Sequence, residues 1–206
     1  MTDYPIARLA PRPFWYLRHG ETDWNARGLS QGRSDIPLND TGIAQGARAA
    51  AMLARHWNEH GRITRIVSSP LGRALRTAEL VRDALRDSDG VDLPITTDIA
   101  LQEVCFGVQE GEPMGDWYDS WIANDYVPQG AEPFPELVAR AVGAVNKATE
   151  GDGLPMIVCH GAMFRALRKA MGLPANVRLP NAVPLWLRPG EPDPLPWLLV
   201  NLGEAG

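Results

Sequence analysis

The amino-acid sequence predicts an α/β fold, a three-layer α/β/α sandwich around a mostly parallel sheet. Three short runs, Phe14–Leu17, Ile63–Ser68 and Met156–Cys159, have strand composition and each leads into a polar turn. Residues at helical spacing follow them, and strands that alternate with helical crossovers build parallel sheets. The 206 residues, 45% of them hydrophobic and 22% charged, fit one domain with its own core and argue against disorder. The whole chain, 1–206, therefore reads as a single domain, with a cap-like insertion at about 90–135.

Phe14–Leu17 is expected to be a buried strand ending at Arg18, His19 and Gly20. The polar stretch from Glu21 to Asp40 reads as a long loop, and loops of that length in compact domains usually carry function. Ile43, Ala47, Ala50, Ala54 and Trp57 mark an amphipathic helix over 41–60, with Gly61 as its stop. After the strand at 63–68, Ser69 and Pro70 look like an N-cap and first-turn pair for a helix striped by Leu71, Ala74, Leu75, Ala78, Val81 and Leu85.

Prolines and glycines break 90–135 into short pieces around Trp117, Tyr118 and Trp121, which read as the core of a cap. A helix resumes from Leu137 to Ala148, then comes the strand at 156–159 and a helix over 162–171. The proline-rich tail keeps strand composition at 183–187 and 197–201, expected to pair near a sheet edge, where proline is tolerated.

Composition narrows the possible partners. The net charge of −5, from 20 Lys and Arg against 25 Asp and Glu, gives no long-range attraction for nucleic acid or anionic lipid, so an anionic ligand must be held locally. Only Lys147 and Lys169 are lysines, which leaves a positive charge made almost wholly of guanidinium, suited to forked contacts with carboxylate or phosphate. Cys105 and Cys159 lack the spacing of a redox or zinc pair, and no leader or eighteen-residue apolar run is visible; the expectation is a cytoplasmic protein that does not enter membranes. Oligomeric state leaves no trace in the sequence.

Parallel strands deliver their carboxyl ends to one edge, where α/β proteins bind ligands. Arg18, His19, Arg73 and His160 are therefore expected to meet. Two guanidinium forks match phosphoryl oxygens, and a neutral imidazole is a competent nucleophile at neutral pH. A glycine follows each histidine, Gly20 and Gly161, where close backbone approach is expected. Against these readings, Arg73 lies off the apolar stripe and could be a solvated helix residue, and His160 could be a core histidine. Arg76 reads as a surface ion-pair residue.

The run Leu17–Arg18–His19–Gly20–Glu21–Thr22, with Trp24–Asn25, Pro37–Leu38–Asn39, Thr41–Gly42, Ser68 to Thr77, Glu103 with Phe106–Gly107, and His160–Gly161, resembles the histidine phosphatase superfamily, also called phosphoglycerate mutase-like. The resemblance covers most of the chain in order. It implies a cofactor-independent reaction in which His19 is the nucleophile and becomes phosphohistidine, Arg18, Arg73 and His160 bind the phosphoryl oxygens, and Glu103 is general acid and base. Thr22 and Asn25 would contact the phosphoryl group or the rest of a small phosphorylated substrate, and Gln31 and Gly32 occupy a similar binding segment. Glu110 is the substitute for Glu103. Mutases of the family carry Arg-His-Tyr after the glutamate, whereas Val104–Cys105–Phe106 here resembles the phosphatase branch; Gln109 stands where a tryptophan is common. The segment from 88 to 139 holds no Lys or Arg, so the cap brings no cation for a second phosphate or carboxylate. A mutase and a non-catalytic phosphate-binding protein are the alternatives.

His56–Trp57–Asn58–Glu59–His60 matches the inverted zinc-protease pattern. On a helical wheel both histidines fall away from the apolar stripe, toward solvent, and no metal site is expected.

Overall fold

Alternation along strand β1 (Phe14–Arg18) sorts its side chains between two cores: Phe14 and Tyr16 enter one apolar cluster, Trp15 and Leu17 the other. A computed structural model describes residues 8–191 and 196–203. The first seven residues, part of the N-terminal stretch expected to lack a leader, lie outside the described residues, as do the ends of the single domain expected over 1–206.

The remaining elements are α1 (Asp23–Ala26), α2 (Asp40–His60), β2 (Ile63–Ser68), α3 (Gly72–Asp89), β3 (Ile95–Thr97), α4 (Trp117–Ala123), α5 (Phe134–Ala148), β4 (Leu154–Cys159), α6 (Gly161–Ala170), β5 (Leu185–Arg188) and β6 (Leu198–Asn201). Six strands form one sheet in the order β3-β2-β4-β1-β5-β6. Pairings from β3 to β1 are parallel, and β5 runs antiparallel to both of its neighbours. Helices α2 and α3 cover one face, packing Ala49, Leu53, Ala78 and Val81 on Trp15 and Met156. Helices α5 and α6 cover the other, packing Leu137, Val142, Phe164 and Leu167 on Tyr16 and Ile157. This is the expected α/β sandwich with a mixed, mostly parallel sheet.

Four local expectations are corrected. The stretch 21–40 is not all loop: α1 is a single turn held by a capping box between Thr22 and Asn25. Ser69 does not cap α3, whose N-cap position is Leu71 with no side-chain bond; the Ser69 hydroxyl is engaged elsewhere. Ile95–Thr97, expected in the irregular segment, joins the sheet beside β2, so the excursion outside the sheet starts near residue 98. His56 and His60 are only about one-fifth exposed, and the His60 ring stacks on Trp186 at 5.9 Å, because α2 ends against the Trp15 and Trp186 rings of β1 and β5 instead of in solvent. Among the described residues, no three His, Cys, Asp or Glu side chains group as a metal site, and no helix is long and apolar enough to cross a membrane.

Candidate active site

Register sets the site. Strands β1 and β4 pair in parallel with Arg18 opposite Cys159, and the chain continues the ladder one step further, the His19 N–H donating to the Cys159 carbonyl at 2.9 Å. On the other side of β4 the Ser69 N–H donates to the Val158 carbonyl at 2.9 Å. Three strand ends thus stop at one level, and the rings of His19 and His160 lie 5.2 Å apart. The Tyr16 hydroxyl fixes the turn from beneath, donating to the His160 carbonyl at 2.7 Å and meeting the buried Cys159 thiol at 3.2 Å.

His19 is buried, and its Nδ1 lies 2.7 Å from the Gly20 carbonyl. A carbonyl only accepts, so Nδ1 carries the proton and Nε2 keeps its lone pair. Burial, then the guanidinium groups of Arg73 and Arg18, hold the His19 pKa well below the usual histidine value. His160 is likewise held low, by burial first and by Arg73 next. Both rings are therefore neutral near pH 7.

Arg73 is not the solvated residue that its place off the stripe allowed: it is 1% exposed, and its two terminal nitrogens donate to the carbonyls of Ser34 and Gly32, each at 2.7 Å. Arg18 donates Nη1 to the Leu179 carbonyl at 2.7 Å. Each guanidinium is thereby oriented while its Nε stays buried without a partner, and His160 Nδ1 is buried without one too. His160 Nε2 is occupied by the Ser69 hydroxyl at 2.8 Å.

Glu103 is 7% exposed and reaches the start of α6, where its two oxygens accept the N–H groups of Ala162 at 3.0 Å and Met163 at 3.2 Å. A carboxylate is well placed at a helix N-terminus. It also sits close enough to Arg18 and Arg73 to act on both electrostatically. Glu110, the substitute, has both oxygens tied to the 32–34 loop, accepting the N–H of Arg33 and the N–H and hydroxyl of Ser34. Gly32 turns there with φ +55°, and a Cβ would meet Glu110 at 2.1 Å. Its carbonyl, not its side, faces Arg73. Gln31 is buried with an unpartnered Oε1.

Thr22 is fully buried and its hydroxyl accepts the Asn25 N–H, so it shapes the loop. Asn25 accepts from Asn181, which also donates to the His19 carbonyl at 3.0 Å. The close approach at Gly20 is to α2, where a Cβ would lie 2.5 Å from the Gly42 carbonyl; at Gly161 a Cβ would make only ordinary contact with Arg18 and Arg165.

Sequence reasoning missed several residues. Ser69 was assigned to a cap, Asn181 lies in the proline-rich tail, and Thr77 accepts the Gly20 N–H at 3.0 Å while donating to the Arg73 carbonyl. A further group braces Glu103 from behind. Arg140 donates to the carbonyls of Ala100 and Gln102 at 2.9 and 2.6 Å and pairs with both oxygens of Glu132. Arg33 reaches the Glu103 carbonyl at 3.3 Å and Glu132 at 3.4 Å. Pairs such as Glu132 with Arg140 carry a weak signal, an acidic and a basic residue eight positions apart across a helix start.

Trp121 is fully buried among Phe106, Tyr118 and Phe134, and these rings belong to the apolar cluster that lies under α5 and α6. Arg76 pairs with Glu79 at 3.1 Å on the surface.

A layered α/β sheet with two histidines, two arginines and a glutamate gathered beside its strand ends defines a class of α/β proteins with a polar, charged cluster at one edge of the sheet. The family is narrower than the class. A family model of the histidine phosphatase superfamily, branch 1, matches residues 14–182, and the chain belongs to that superfamily. A probable phosphoglycerate mutase GpmB of Yersinia pestis (strain Pestoides F) is 34% identical over 175 residues, 79% of this chain and 76% of that one. Among solved structures, a mycobacterial hydrolase superposes with TM-score 0.73 at 27% identity, covering 92% of this chain and 96% of the other. A mycobacterial glucosyl-3-phosphoglycerate phosphatase in complex with VO3 gives TM-score 0.74 at 26% identity over 91% of this chain and 97% of that one.

Proposed function

We propose that the chain is a phosphomonoesterase that works through a phosphohistidine at His19, with small phosphorylated metabolites as substrates. The observation that carries this reading is the set of three buried, unpartnered nitrogens, Arg18 Nε, Arg73 Nε and His160 Nδ1, beside an imidazole whose Nε2 lone pair is free. A buried polar group left without a partner costs about 1–3 kcal/mol, and a phosphoryl group supplies oxygens to all three.

In the first step His19 Nε2 attacks phosphorus, the P–O ester bond breaks, and Glu103 gives its proton to the leaving oxygen. In the second, water attacks the phosphohistidine, Glu103 takes the water's proton, and the N–P bond breaks to release inorganic phosphate. Glu103 is favoured over Glu110 because it is buried and acts electrostatically on both Arg18 and Arg73, whereas Glu110 is less buried and acts on Arg73 alone.

The mutase reading has the named Yersinia relative in its favour. Val104–Cys105–Phe106 in place of a basic run, and the absence of Lys and Arg from 88 to 139, support hydrolysis. The purified protein is expected to release phosphate from an aryl phosphate in excess chelator, and His19→Ala to abolish this while the fold is retained. Phosphoryl transferred between hydroxyls of a sugar acid, with none released to water, would establish the mutase instead.

A further inference from the structure

His19 owes its tautomer to a backbone carbonyl, and that carbonyl belongs to a peptide unit with two hydrogen-bonding groups. The Gly20 carbonyl lies 2.7 Å from His19 Nδ1 and accepts its proton. The N–H of the same peptide unit, that of Glu21, donates to the side-chain Oε1 of Gln45 at 2.8 Å. Carbonyl and N–H share one rigid plane, so a side chain that holds the N–H also fixes the direction in which the carbonyl meets the ring. Gln45, half-buried in the second turn of α2, is thereby joined to His19 through one peptide bond.

The neighbouring N–H groups are tied separately: that of His19 to the Cys159 carbonyl at 2.9 Å, that of Gly20 to the Thr77 hydroxyl at 3.0 Å and that of Thr22 to Asn25 Oδ1 at 3.3 Å. This leaves the Glu21 N–H to Gln45. Helix α2 comes near enough because two glycines meet backbone to backbone, and a Cβ on Gly42 would collide with the Glu21 carbonyl oxygen. Three residues further along α2, Gln45 reaches the peptide. Asn39, the N-cap of α2, pins the same segment, its N–H donating to the Glu21 carbonyl and its Nδ2 to Glu21 Oε1, each at 3.0 Å.

The load on this link grows during the reaction. As Nε2 bonds phosphorus the ring gains positive charge and Nδ1–H becomes a stronger donor, and a carbonyl whose own peptide N–H is hydrogen-bonded is the better acceptor. We propose that Gln45 is a positioning residue for His19: through the Gly20–Glu21 peptide it keeps the proton on Nδ1 and leaves Nε2 open to attack phosphorus. The proposal rests on the phosphohistidine reading and adds to it the residue that sets the nucleophile's tautomer.

Two variants test it. Gln45→Met keeps a long, unbranched, helix-compatible side chain and removes the amide oxygen, whereas Gln45→Glu keeps an oxygen acceptor in the same place. In substrate-free Gln45→Met protein the nitrogen chemical shifts of His19 should pass from one Nδ1–H imidazole to a mixture of both tautomers. Its kcat on p-nitrophenyl phosphate should fall about 3- to 10-fold with KM unchanged. Gln45→Glu should keep the single tautomer and most of kcat. Gln45→Asn, whose amide stops one carbon short, gives the same reading should Gln45→Met fail to fold.

His19 shifts that do not move when the amide oxygen is removed overturn the proposal. So does an equal loss of kcat in Gln45→Met and Gln45→Glu with a matching fall in Tm, which would make Gln45 a structural residue only. A wild-type protein that leaves p-nitrophenyl phosphate intact, while Gln45→Met still mixes the His19 tautomers, would overturn the phosphohistidine reading and not the link from Gln45 to the ring.

Discussion

The proton on each histidine decides what the ring can do. At His19 the Gly20 carbonyl settles the matter, leaving Nε2 as the nucleophilic nitrogen. At His160 the tautomer turns on Ser69. The Ser69 oxygen accepts the Leu71 N–H at 3.3 Å and lies 2.8 Å from His160 Nε2; we assign the Ser69 proton to Nε2, because that tautomer puts the imidazole proton on the buried, unpartnered Nδ1, where it serves a phosphoryl oxygen. Because both folded pKa values lie below the ordinary value of about 6.5, both rings stay neutral as pH falls through that value. Nitrogen chemical shifts at about pH 6 should therefore show two neutral Nδ1–H imidazoles. Ser69→Ala should scramble the His160 tautomer, lower kcat about 10-fold and leave His19 unchanged; a His160 signal indifferent to the substitution would remove Ser69 from this role. The Ser69 contact was not legible beforehand, since Ser69 and His160 stand 91 positions apart and a serine before a proline reads first as a helix cap.

Among the elements, the strands that carry chemistry were the readable ones. Phe14–Leu17 and Met156–Cys159 are apolar runs with polar ends, and a strand buried on both faces shows itself by composition; Ile63–Ser68, interrupted by Thr64 and Arg65, was readable from its β-branched residues. Ile95–Thr97 was hidden because three residues after a proline are too few to display alternation. The turn of α1 was hidden inside a polar stretch, although Thr22 followed three residues later by Asn25 is a form of capping box. The brace behind Glu103 belongs to this scale as well. Helix α5 contributes Arg140, the loop at 32–34 contributes Arg33, and Glu132 ties both to the segment that presents Glu103. Glu132→Gln should loosen that segment and slow turnover about 10-fold for substrates with poor leaving groups, with a smaller effect on aryl phosphates, whose leaving oxygen needs no proton. Equal slowing of both would make Glu132 a structural residue only.

Across the whole molecule, topology does what no single segment can. His19 and His160 are 141 positions apart, and they meet because β1 and β4 are parallel neighbours in register. The order of the sheet also puts Ser69 and Arg73 at the same edge, next to β4, and the proline-rich tail returns over the end of β1 to place Asn181 on the His19 carbonyl. The expected convergence of Arg18, His19, Arg73 and His160 followed from the rule for parallel sheets, whereas the contribution of the tail did not, because proline-rich segments carry little periodicity. The central claim is that one of the two histidines, His19, takes the phosphoryl group. Brief mixing with a radiolabelled phosphomonoester, followed by alkaline quenching and peptide mapping, tests it most directly. An acid-labile label on His19, chased by water and absent from His19→Ala protein, is the predicted result; label on His160, or full turnover by His19→Ala, would contradict it.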